Sequence, residues 1–360
     1  MNDLTIGLLG ALLATNQPLA VSNVIQQQTG VAIAVAADPV ERELRDVMLA
    51  DDAAQAEVGG WIQANDALGA TTNALPKAVL NERIRARFDG VRHSYEIFLR
   101  NHPDSAKGFL AYGSFLNDIG DEENARVQYE NSRQLDPKNP AVWNNLANYY
   151  GEHGPLKNAF AYYAEAIRLN PDEPVYYRNF ATTVYLFRKD AREYYHLTEP
   201  QVFDKALALY RQALALTPQD FTLATDYAES YYGIRPLRTN DALAAWTNAL
   251  NIAHTGLEKE GVEIHLARVK IAAGFYEQAS NHLANVTNGA YLDLKRRLYQ
   301  SLLDHKNPPT NAVADTLTNA VAVASNTVAV LTNTVLAATN LSAVPAPSEI
   351  PAPVLRGQKP

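Results

Sequence analysis

Residues 140–171 read PAVWNNLANYYGEHGPLKNAFAYYAEAIRLNP. Taken as two helices, this stretch puts Trp143, Leu146, Ala147 and Tyr150 on one face of the first and Ala159, Tyr163 and Ala166 on one face of the second. Gly154 lies between them and Pro171 closes the unit. Small residues suit points where two helix backbones approach closely, and large ones suit the gaps between layers. A lone helical hairpin cannot bury its apolar face, so a sequence of this kind has to recur and stack.

It does recur. The unit that starts 34 residues upstream, at Ala106, carries Phe109, Tyr112, Gly113 and Leu116, a turn at Gly120, then Ala125, Tyr129, Ser132 and Pro137. Downstream, Pro174 opens a unit with Tyr177, Phe180, Ala181 and Val184, whose second helix (Ala206, Tyr210, Ala213, Pro218) is delayed by about 13 residues against the 34-residue period. A fourth unit has Ala224, Tyr227, Ala228 and Tyr231, then Ala242, Trp246 and Ala249, with a short insertion around 234–239. A fifth has Leu266, Ala267, Gly274, Ala279 and Leu283, while Tyr95, Phe98 and Pro103 fit the second helix of a degenerate leading unit.

This order of bulky, small, aromatic and turn residues resembles the tetratricopeptide repeat. The resemblance implies an all-α, right-handed superhelical solenoid of about five hairpins with flanking helices. The expected units are 72–105 (degenerate), 106–139, 140–173, 174–220, 221–259 and 260–288, with residues 72–304 as the array and its terminal cap. Such arrays recognise partners through a groove lined by the first helix of each hairpin. The groove slots implied here hold Asn144, Asn145 and Asn148, then Arg178, Asn179 and Thr182, then Thr225, Asp226 and Glu229. An Asn145–Asn179 pair resembles the asparagine ladder in the repeats of O-GlcNAc transferase, whose catalytic part has no counterpart here. Amides donate and accept, so a ladder can hold a peptide backbone with little side-chain preference. Leu110 and Ser114 stand where a two-carboxylate clamp for chaperone tails would want Lys and Asn, which disfavours that partner class.

Outside the repeats, residues 1–37 are apolar and carry no charge besides Asp3. Leu4–Ala14 is too short to span a bilayer and resembles the apolar core of an export signal, but follows an acidic start where such a signal would be basic; it is either an export or anchoring signal or a short helical packing or association segment. Asp38-Pro39 opens a helix directed toward Gln63, with Gly69–Leu75 as a linker; it either packs on the first layer or pairs with a second copy. Arg83, Arg85, Arg87, Arg92, His93 and Arg100 make the leading unit locally basic, as solvated faces or as a dock for an acidic partner. The insertion at 187–199 (FRKDAREYYHLTE) is expected to form two overlong helices, restarted by a Thr198–Gln201 capping box. Tyr194, Tyr195 and His196 make a candidate contact tip, or else pack back on the array. Deleting 189–195 is expected to leave helicity and melting unchanged. Residues 289–304 suit a covering helix, and residues 305–360 form a low-complexity Ala/Val/Thr/Asn tail, with Asn319, Asn326, Asn333 and Asn340 recurring every seven residues.

The formal net charge of −8 comes with no basic stripe, so no nucleic-acid partner is expected. With no cysteine, disulfides, thiolate metal sites and cysteine nucleophiles are excluded. Phosphate-loop, HExxH, GxSxG and dinucleotide signatures are all missing, so no catalytic residue, metal or cofactor is expected. The functional expectation is a non-enzymatic adaptor or scaffold that takes a protein or peptide, in the cytoplasm or periplasm. The alternative is a structural or envelope-associated protein held by its apolar N-terminus and heptad-like tail.

Overall fold

The computed structural model describes residues 38–69 and 74–306. The apolar N-terminal segment and nearly all of the low-complexity tail lie outside the described residues. Fourteen α-helices and no strand occur among those described. They are α1 (Pro39–Leu68), α2 (Lys77–Asn101), α3 (Ala106–Asp118), α4 (Glu122–Leu135), α5 (Pro140–His153), α6 (Leu156–Leu169) and α7 (Pro174–Leu186). They continue as α8 (Arg188–Tyr195), α9 (Glu199–Leu216), α10 (Phe221–Glu229), α11 (Thr239–Ile252), α12 (Gly256–Ala272), α13 (Tyr276–Ala284) and α14 (Leu292–Lys306).

Local chemistry sets the helix starts. Asp38, Ser105, Asn139 and Asp220 each cap a helix by accepting a hydrogen bond from a backbone N–H two or three residues on. Pro39, Pro140 and Pro174 occupy first-turn positions, where a missing N–H costs nothing. Glu41 pairs with Lys107 of α3 and ties α1 to the array.

Antiparallel hairpins α3–α4, α5–α6, α7–α9, α10–α11 and α12–α13 follow one another, each packing on the next. The small residues let this happen. Ala147, Ala159 and Ala166 are wholly buried. A Cβ on Gly113 would stand 2.6 Å from the Tyr129 ring, so no larger residue allows α3 and α4 to come this close. Rings then fill the gaps between layers: Tyr95 stacks on Tyr112 at 5.3 Å, and Tyr163 on Phe180 at 5.4 Å.

Three expectations are corrected. The first helix runs through Gly59-Gly60 to Leu68, and it supplies the first helix of the leading hairpin with α2 as its partner. Trp143 is not interlayer core. It is half-buried, donates its Nε1 hydrogen to the Pro137 carbonyl (2.8 Å) and lies under the Arg133 guanidinium.

The third correction is the insertion, which does not build two overlong projecting helices. The chain breaks at Phe187, forms the short helix α8, and turns at His196 in the left-handed region (φ 55°). Gln201 then accepts from the Thr198 N–H at 2.8 Å and α9 restarts. α8 folds back on α6 because Ala191 buries completely and Tyr195 reaches the Phe160 ring at 5.6 Å. The basic leading helix is also self-contained in large part. Arg83 covers the Trp61 ring, while Arg85, Arg87 and Arg92 pair with Glu82, Glu57 and Asp121.

Candidate functional site: the face of the first helices

Helices α5, α7 and α10 carry the polar residues singled out by the repeat register. The structure uses most of them to join one repeat to the next. Asn179 Nδ2 donates to Asn144 Oδ1 (3.2 Å), and Asn144 Nδ2 donates to Asn145 Oδ1 (3.3 Å). The ladder therefore runs Asn179–Asn144–Asn145, one residue out of the expected Asn145–Asn179 register. Asn144 and Asn179 are buried, so they glue α5 to α7 and are closed to a ligand. Thr182 donates to the Arg178 carbonyl or shares its hydroxyl with Tyr210, 2.9 Å away. Arg178 holds Asp226 through Nε (2.8 Å) and Nη2 (2.7 Å), linking α7 to α10. Asn148 accepts from the Tyr163 hydroxyl at 2.7 Å. Thr225 turns its hydroxyl to the Thr222 carbonyl.

A buried amide pair is costly to halve. Asn179→Ala leaves the Asn144 carbonyl oxygen without a donor, and a stability loss of about 1–3 kcal/mol in denaturant unfolding is expected. No loss would mean that the pair is open to water.

The insertion residues fall into two groups. Tyr194 and His196 are exposed, while Tyr195 is half-buried, with the Lys205 ammonium 4.2 Å from its ring centre. The segment presents a packed shoulder and not a free tip.

Acidic groups also stand on the first helices. Glu229 is half exposed, next to Asp226; desolvation, then the Asp226 charge, pushes its pKa up to about 7. Around it stand Tyr232, His265 and Arg268. The Tyr232 hydroxyl lies 3.0 Å from His265 Nδ1, Arg268 covers the Tyr232 ring, and His265 stacks on Trp246 at 4.1 Å. Burial drives the His265 pKa down to about 4, so its ring is neutral near pH 7. At the other end, Asp51 and Asp52 of α1 face Asp118 at the end of α3. Asp51 accepts from the buried Tyr95 hydroxyl (3.0 Å), and burial raises its pKa to about 6. Asp52 and Asp118 rise to about 7, first from desolvation and then from neighbouring carboxylates. Asp118 keeps an edge open to solvent although protein stands close on its other sides. Among the described residues, Asp52, Asp118 and Glu229 make no ion pair with Lys or Arg.

These acids carry a pH signature. A carboxyl with a higher pKa in the folded chain favours folding below its unfolded value near 3.9, and that advantage is lost as pH rises through about 7. Asp118→Asn removes one such group. The variant is expected to melt higher than the parent at about pH 8, with the gap closing toward pH 4. A gap that does not change with pH would contradict the crowding of Asp51, Asp52 and Asp118.

Sequence reasoning missed Asp51 and Asp52 because α1 lacks the repeat's pattern of residues. Asp118 was within reach, since it lies four residues beyond Ser114 on the same face of α3.

The profile of the tetratricopeptide repeat matches residues 140–173, the segment that supplies the amide ladder and the α5–α6 hairpin. The chain carries a tetratricopeptide repeat at residues 140–173. No curated protein matches it in sequence. Solved structures similar to it include a MamA protein (21% identity, 48% of this chain and 86% of that one, TM-score 0.38). Another is YrrB, described as a TPR protein with an unusual peptide-binding site (13% identity, 59% and 97%, TM-score 0.44). A third is pilF of Pseudomonas aeruginosa (15% identity, 70% and 98%, TM-score 0.46). Among the described residues, no helix of this repeat protein is long and apolar enough to cross a membrane.

Proposed function

We propose that this protein is an interaction scaffold whose first-helix face takes a basic, extended segment or helix of a protein partner. The observation that carries the reading is the set of carboxylates Asp52, Asp118 and Glu229 on that face: none is salt-bridged to Lys or Arg, and of the three only Glu229 has a cation, Arg268, close enough to lower its pKa. Their raised pKa values mean that ionisation is disfavoured in the free protein. A lysine or arginine from outside relieves that penalty, so the face favours a cationic ligand. The amide ladder, the Arg178–Asp226 pair and the Thr182–Tyr210 contact hold the repeats in register beneath it.

Fluorescence anisotropy with labelled peptides tests this. Lysine- and arginine-rich peptides are expected to bind, more weakly as salt rises, and acidic peptides of equal length are not. Equal binding of both classes, or binding insensitive to salt, would contradict the reading. Substituting Asn179 by lysine is unsuitable as a control, because it would bury an unpaired charge and unfold the repeat.

A further inference from the structure

Away from the first-helix carboxylates, three metal-ligating side chains converge at the junction of α4 and α5. Glu122 stands in the first turn of α4; Glu152 and His153 close α5. One ligand atom from each lies within 4.8 Å of the others. His153 Nε2 is 2.9 Å from a Glu122 carboxylate oxygen, and His153 Nδ1 is 3.1 Å from the Tyr149 carbonyl oxygen. The ring is held flat against Tyr149, with centroids 4.5 Å apart and planes 13° apart.

A carbonyl oxygen can only accept, so Nδ1 carries the hydrogen. In the neutral ring Nε2 then presents a lone pair, and it presents it to a carboxylate. Two acceptors in contact require a cation between them, either a proton on Nε2 or a metal ion. Glu152 brings a second carboxylate within reach of the same point, which completes a set of three possible ligands. Arg126 does not supply the charge, because it is paired with Glu123, which also accepts from the Tyr149 hydroxyl at 2.5 Å.

We infer that Glu122, Glu152 and His153 bind a zinc-class divalent cation that clips one hairpin to the next. The donor set of one imidazole and two carboxylates suits zinc better than calcium or magnesium, which prefer all-oxygen shells. The Nδ1–H bond to a backbone carbonyl is the support that metal-bound histidines use to fix their tautomer. Zinc bonds of about 2.0–2.2 Å set tetrahedral ligands roughly 3.3 Å apart. Closing on the ion therefore takes only small rotations of partly exposed side chains at the helix ends. Three protein ligands leave a fourth position for water. An ion held by both α4 and α5 stabilises the folded array by mass action.

The test is calorimetric titration of zinc chloride into metal-free full-length protein, paired with melting curves. One zinc per chain is expected, with a higher melting temperature when bound. Binding should weaken as pH falls, because protons compete with the ion for His153, Glu122 and Glu152. His153→Ala and Glu122→Gln are each expected to weaken binding at least tenfold. His93→Ala, an exposed histidine on α2, should leave it unchanged. Cobalt(II) should give visible absorption bands in the parent and lose them in His153→Ala. Zinc binding undiminished in His153→Ala, or none up to about 1 mM, would overturn the inference. So would an NMR titration showing His153 protonated at neutral pH with saturating zinc present, which would assign the contact to an ion pair.

Discussion

Trp246→Ala is expected to lower the free energy of unfolding by about 3–5 kcal/mol, the range for removing a buried large aromatic side chain. Trp246 is 1% exposed and is the largest wholly buried side chain described. It sits where α10, α11 and α12 meet, among Leu207, Ala228, Tyr231, Leu266 and Val269, with the His265 ring flat against it. Alanine would leave a cavity between rigid helices that cannot collapse around it. The loss should appear as a lower denaturant midpoint. In a repeat array the transition can lose two-state character, with the C-terminal hairpins melting first. A change below about 1 kcal/mol would mean that the fourth and fifth hairpins do not pack on one another.

The second large effect is expected at the insertion. Ala191 has no exposed surface and lies in the cluster of Ala147, Phe160, Val184 and Val202. Arg at this position would have to bury a charge or lift α8 from α6. We expect a loss of about 2–4 kcal/mol and freer tryptic cleavage between Arg188 and His196. A folded protein of unchanged melting temperature would show that the insertion stands away from the array. For the same reason, deleting 189–195 should now lower the melting temperature, against the expectation from sequence.

The fold was legible because a helical hairpin needs small residues at fixed points. Ala147, Ala159 and Ala166 mark those points, and the structure buries all three completely. Features that departed from the repeat were read less well, each for a physical reason. α1 lacks the repeat's order of bulky and small residues, so its role as the first helix of a hairpin left no signature. The α8 segment has strong helix formers throughout, and only the packing of Ala191 on α6 decides that it folds back. In the amide ladder, a one-residue difference in side-chain direction put Asn144 in the place expected of Asn145. That difference depends on how α5 and α7 are rotated against each other, which no spacing in the chain encodes.

The candidate face was legible as a location and not as a chemistry. Its slots were placed by the repeat register, but Arg178, Asp226, Thr182 and Asn179 turned out to be bonded within the array. Its acidic character comes from Asp51 and Asp52 meeting Asp118 across two helices, and from Glu229 standing beside Asp226. Such encounters between distant parts of the chain appear only once the helices are packed.

The most direct test of the central claim is affinity capture from native lysate. Wild-type protein would be run beside the double variant Asp118→Lys, Glu229→Lys, once circular dichroism has shown the variant folded. Both side chains keep exposed surface, and the circular dichroism check shows whether the array tolerates the substitutions. The account predicts a partner that wild type retains at low salt and the charge-reversed variant loses, with a basic segment as its bound region. A partner held equally by both proteins would contradict it and place recognition off the first-helix face.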